Sequence, residues 1–152
     1  MLPSTVFDEA WKEQLARLRR WYERTTPISR DRASISEEEV DLLFAFFLNC
    51  WHLYDWLKNS NALPTLLLDE FFRNDETMRI CYDICIGAKH LRIDRPKAGL
   101  SALVRGVEYM GEKIGEVPTQ LFLFKGGTQS LTILADVCMS KIEGFLRDNN
   151  LS

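Results

Sequence analysis

The chain has two histidines, and each stands beside groups suited to acid–base work. His52 occurs in CWHLYDWLKN, where Asp55 follows three residues later and shares its face on a helix. A carboxylate at that spacing orients an imidazole or favours its charged form, as a general acid or base requires. The same spacing also suits a structural pair that fixes helix register. His90 occurs in GAKHLRID beside Lys89 and opens a basic cluster of Lys89, His90, Arg92, Arg95 and Lys97. Between Arg73 and Arg105, seven Lys or Arg stand against four acids. Such a surplus presents cations to phosphate, or simply complements the C-terminal end of a helix dipole. The candidate catalytic set is His52, Asp55, Lys89 and His90. The candidate phosphate- or nucleic-acid-binding set is Lys89, Arg92, Arg95 and Lys97.

Other chemistries find less support. His52, Asp55, Asp83 and His90 are chemically able to ligate a metal. The di-iron pattern needs Glu-x-x-His on two helices, however, and here His-x-x-Asp occurs once. No metal and no cofactor are therefore expected. There is no G-x-S-x-G, and KGGTQS lacks both the P-loop spacing and its lysine.

The elements that must position these residues read as mainly helical. A first helix is expected from about Thr5 to Arg24, with Thr5 and Asp8 as a capping pair and Phe7, Trp11, Leu15, Leu18 and Tyr22 as its stripe. Ser36 and Glu39 form a capping box for a second helix running to Lys58. That helix is apolar on nearly all sides between Leu42 and Leu57, so it should be central. One line of it reads Asp41, Ala45, Leu48, His52, Asp55. Its aromatics Trp51, Tyr54 and Trp56 cannot all point inward unless the helix is surrounded, so an outward one suits an interface.

NSNALP reads as a turn, followed by a short helix from about Thr65 to Arg73. Asn74 or Asp75 then caps a helix ending near Leu91, with Met78, Cys81, Cys85 and Ala88 inward. Leu100 to Met110 and Thr119 to Lys125 suggest an inserted β-hairpin at about 100–125, joined through GEKIGEVP. A last helix is expected from about Gln129 to Arg147. The whole is a helical bundle of four long helices and one short helix with that hairpin, one domain over 1–152. If the helices from Ser36 and Asp75 run parallel, then His52, Asp55, Lys89 and His90 converge. The need of buried polar lines for partners favours that arrangement.

Bulk properties agree with a folded chain. At 152 residues, 46% hydrophobic and 27% charged, it can bury a core without staples. A net charge of −3 advertises no global affinity for polyanions. The densest apolar run, Leu42 to Leu48, is too short for a bilayer, and MLPSTVFDEAW lacks a signal-peptide pattern. Cys50, Cys81, Cys85 and Cys138 sit in helix-like apolar contexts, which suggests buried free thiols in a cytoplasmic protein.

The segments FLNCWHLYDWLKN and CYDICIGAKHLRID, on two successive helices, resemble the HEPN-like helical domains of bacterial and phage proteins. The resemblance covers Ser36 to Asp94 and the final helix. It implies a helical bundle that often dimerises, and, in catalytic members, a metal-independent ribonuclease of toxin and defence systems. Active members carry Arg, four to six residues, then His. Here ten residues separate Arg79 from His90, roughly 16 Å along one helix. The catalytic pair is therefore not carried over.

Two functions are consistent with this pattern. The first is a non-enzymatic interaction module that self-associates or binds a protein, nucleotide or RNA partner. The second is a small ribonuclease with His52 or His90 as acid or base and Lys89 or Arg92 on phosphate.

Overall fold

The computed structural model describes residues 8–31, 35–90, 100–105, 108–109, 112–113, 118–124 and 127–151, with the backbone alone at 87–90 and 100–129. Among the described residues five helices dominate: α1 Trp11–Thr25, α2 Glu37–Asn59, α3 Thr65–Phe72, α4 Glu76–His90 and α5 Leu131–Asp148. Their lengths are 15, 23, 8, 15 and 18 residues.

The chain is described from Asp8, which is helical, and α1 follows a turn at Glu9 and Ala10. Helix α1 begins at Trp11, with Ala10 at the N-cap and no side chain there to bond a free N–H. Thr5 lies outside the described residues. The stripe is as expected, since Trp11, Leu15 and Leu18 are all buried. The start of α2 follows its sequence signal closely. Ser36 Oγ accepts from Glu39 N at 3.1 Å, and Ser36 N donates to Glu39 Oε1 at 3.1 Å. The helix stops at NSNALP, where Asn61 takes a left-handed φ of 55°, a conformation asparagine tolerates at a helix end.

Helix α2 is the hub of the core and packs against all four other helices. Val40, Leu43, Phe46, Phe47, Cys50, Leu53 and Leu57 are buried along it. The line Asp41, His52, Asp55 lies on its exposed side, with Ala45 and Leu48 between them half-buried. The expectation that these polar groups lie inside the bundle is thus corrected. The helix is not fully surrounded, and its polar line takes the gap. The buried polar groups are elsewhere: Gln14 Nε2 donates to Asn49 Oδ1 at 2.9 Å, and Asn49 Nδ2 donates to Ala45 O at 2.8 Å. These bonds tie α1 to α2 inside the core.

Helices α2 and α4 are antiparallel. Cys85 Sγ lies 3.1 Å from Phe47 O, while four residues further along α2 Trp51 meets Tyr82 at 4.9 Å between ring centroids. Moving forward on α2 is moving backward on α4. Short α3 makes the reversal, with Phe72 packed against both Trp51 and Tyr54.

Between α4 and α5 the chain is not a simple two-stranded hairpin. Strands β1 Leu100–Arg105, β4 Pro118–Phe124 and β5 Gly127–Ser130 form an antiparallel sheet in the order β1-β4-β5. The two short strands β2 Glu108–Tyr109 and β3 Glu112–Lys113 pair separately. As a sequence, Gly126 and Gly127 read as breakers of the second strand. The chain instead folds back there, and Leu121 pairs with Ser130 and Phe124 with Gly127. The β1–β4 register shifts twice, which fits the irregular alternation of LSALVR.

Helix α5 closes the core with Leu131, Leu134, Cys138, Ile142 and Leu146. Charge pairs join it to its neighbours. Arg30 donates to both oxygens of Asp136 at 3.1 and 2.8 Å, and Tyr22 donates to Asp136 at 2.8 Å. Arg19 holds Glu143 at 2.7 and 2.9 Å, and Lys141 holds Asp75 at 2.9 Å.

Candidate functional site

An open pocket of about 390 Å³ lies where the late part of α2, the end of α3 and the start of α4 meet. Trp51, Phe72, Arg73, Asn74, Arg79 and Tyr82 line it. Each side chain arrives there for a local reason. Trp51 lies one turn before the end-packing residues Tyr54 and Leu57 on α2. Phe72 is the last residue of α3 and is fully buried, which leaves Arg73 and Asn74 at the exposed rim. Arg79 and Tyr82, three apart on α4, fall on the same face. Asp75 caps α4 by accepting from Met78 N at 3.1 Å, and Lys141 fixes Asp75 from α5. The start of α4 is therefore held in place.

The aromatic wall is continuous. Trp51 makes edge contacts with Tyr82, Tyr54 and Phe72 at 4.9, 5.2 and 6.0 Å. Phe71 stacks on Phe145 at 4.4 Å behind it. Trp51 Nε1 is buried and has no hydrogen-bond partner among the described residues, where the indole is packed by its ring contacts.

Arg73 is positioned by two groups. Its Nε donates to Tyr54 Oη at 3.1 Å, and the same nitrogen lies 3.7 Å from Asp69 Oδ1. Tyr54 in turn donates to Asp69. Burial, with the Asp69 bond behind it, pushes the Tyr54 phenol up, so it stays a protonated donor at neutral pH. The Tyr54 bond likewise raises the Arg73 pKa. Among the described residues the hydrogen bonding of Arg73 runs through Nε alone. Arg73 is exposed and lines the pocket.

The histidine set does not assemble. His52 and Asp55 are both exposed, and among the described residues neither a hydrogen bond nor an ion pair joins them. Taking Phe47 and Cys85 as level, His52 and His90 lie five residues away in opposite directions, about 15 Å apart along the helices. Convergence of His52, Asp55, Lys89 and His90 is therefore corrected: antiparallel packing separates them. Lys89 and His90 are in the last turn of α4, far from the pocket at its start, and their side chains lie outside the described residues. Arg92, Arg95 and Lys97 lie outside the described residues altogether.

The pocket residues were visible in the sequence only in part. Arg73 and Arg79 head the basic surplus, and Trp51 belongs to the aromatic excess of α2. Nothing local links them, because they come from three elements.

The four cysteines are buried and unbridged. Burial pushes the Cys50 thiol up to about 11 and Cys81 well above its usual value. Such thiols are poor nucleophiles. Among the described residues no group of three or more His, Cys, Asp or Glu is arranged to hold a metal ion. No described helix is long and apolar enough to cross a membrane. The chain matches no protein-family model, no curated protein and no solved structure.

Proposed function

We propose that the protein is a non-enzymatic helical module that binds a nucleotide or RNA through the Trp51–Arg73–Arg79–Tyr82 pocket. The carrying observation is the composition of that pocket: Trp51, Phe72 and Tyr82 stand with Arg73 and Arg79 among its described lining residues. Aromatic faces stack on bases with little sequence preference, and guanidinium groups hold phosphate by paired N–H donors. The described lining side chains are of the kinds that hold a base and a phosphate. The reading is compatible with the HEPN-like resemblance of the Ser36–Asp94 segment, whose catalytic spacing this chain lacks. It gives a mildly acidic protein a local cationic site for an anionic partner.

The test is to purify the protein without nuclease and measure its mass in solution with its absorbance ratio. It is then incubated with end-labelled single-stranded RNA. Bound RNA that stays intact, with affinity falling as salt rises, is expected. RNA cut by the wild type but not by His52→Ala or His90→Ala would replace this reading with the ribonuclease. Self-association without any RNA affinity would remove the nucleotide.

A further inference from the structure

Resting on that reading, we infer that the pocket recognises the terminal phosphate of a nucleotide or RNA end, with the end base against the Trp51–Tyr82 wall. Three observations carry this. The first is size. A cavity of about 390 Å³ lies at the small end of the ligand-pocket range of roughly 300–1,000 Å³, which suits one nucleotide and not a track for several.

The second is charge. Two arginines line one small pocket. A terminal phosphate carries about −1.5 to −2 charges at neutral pH, against one for an internal phosphodiester. Paired guanidiniums therefore favour the chain end. Beside Arg73, Asp69 is engaged by Tyr54 and by Arg73 itself, and Asp75 by Lys141. Glu70 accepts from Asn74 at 3.0 Å.

The third is pre-positioning. Tyr54 and Asp69 fix Arg73 through Nε, the nitrogen nearest its own chain. This leaves the outer fork of the guanidinium for a bidentate bond to a phosphate. Tyr54 and Asp69 are thus positioning residues. They act on the phosphate through Arg73 and have no part in holding the base.

The experiment uses the full chain and tryptophan fluorescence. It compares short single-stranded RNAs ending in hydroxyl, 5′-phosphate or 3′-phosphate, together with a nucleoside and its 5′-monophosphate. A preference of about tenfold for one phosphorylated end, and for the monophosphate over the nucleoside, is expected. Arg73→Gln and Arg79→Gln should each abolish most of that preference. Both residues are exposed, and a thermal melt checks that the variants fold. Tyr54→Phe should weaken the phosphorylated ligands and leave nucleoside binding unchanged, which a merely structural role would not do. Equal binding of phosphorylated and hydroxyl ends would overturn end recognition while the RNA-binding module stands. No binding of any RNA or nucleotide would overturn both. A preference undiminished in both Arg variants would place the phosphate elsewhere and overturn the inference.

Discussion

Replacing Phe46 by alanine removes a fully enclosed ring of the hub helix. Phe46 is 0% exposed, with its centroid 5.7 Å from Tyr22 and 5.4 Å from Phe47. Withdrawing a buried Phe side chain forfeits about 1.5–3 kcal/mol of transfer free energy. Each of the two ring contacts adds about 0.5–1.5 kcal/mol. The cavity relaxes only in part, so the total should fall at about 3–5 kcal/mol. That is a large share of the roughly 5–15 kcal/mol by which such domains are stable. For a chain of 152 residues it corresponds to a melting-temperature drop of about 6–20 °C. Urea unfolding followed by circular dichroism measures it, with Phe44→Ala as the internal control. Phe44 is only half-buried, so its loss should cost about 1–2 kcal/mol with an unchanged denaturant slope. A Phe46→Ala cost below about 1.5 kcal/mol, or one smaller than that of Phe44→Ala, would refute the placement of α2 at the centre.

Three further outcomes follow from the same geometry. The Arg30 bonds, and after them that of Tyr22, hold the Asp136 carboxyl below its ordinary 3.8. A depressed carboxylate stabilises the fold above its unfolded value and stops doing so as pH falls through the folded one. The melting temperature should therefore fall as pH drops from about 5 towards 2, and Asp136→Asn should flatten that limb; an identical acid limb in the variant contradicts it. Native protein should react slowly with a thiol reagent, and the unfolded, unreduced chain should titrate four free thiols; a mass two units lower per pair would show bridging. Gln14→Ala leaves the buried Asn49 Oδ1 without its donor and should cost about 1–3 kcal/mol. A double-mutant cycle with Asn49→Ala should return a non-zero coupling, and strict additivity would deny the bond.

What the sequence made legible was local. The Ser36–Glu39 capping box places the start of α2 because both of its bonds lie within one turn. The stripes of α1, α4 and α5 are legible for the same reason, since i, i+3 and i+4 neighbours need no tertiary knowledge. The Thr5 start of the first helix lies outside the described residues, which begin at Asp8. The fold-back of β5 on β4 was hidden because GG reads as a stop whichever way the chain leaves it. Direction was the larger loss. Whether His52 and His90 converge depends on how α3 crosses the end of the bundle, and no pattern within α2 or α4 encodes that. The pocket was illegible as a site for a related reason: Trp51, Arg73 and Arg79 are unremarkable singly and meaningful only once three elements meet. The basic cluster Arg92, Arg95 and Lys97 drew attention by density, whereas Arg73 is set apart by the Tyr54 and Asp69 bonds that fix it.

Binding of a nucleotide or RNA by the aromatic and arginine pocket would bring the ligand beside Trp51. The most direct test is a tryptophan-fluorescence titration with short single-stranded RNA, run at two salt concentrations on the wild type, Trp51→Phe and the Arg73→Gln/Arg79→Gln double variant. A saturable change is expected in the wild type, weakened by salt, absent in Trp51→Phe and lost in the double variant. No saturable change in the wild type, or one of equal affinity in the double variant, would contradict it.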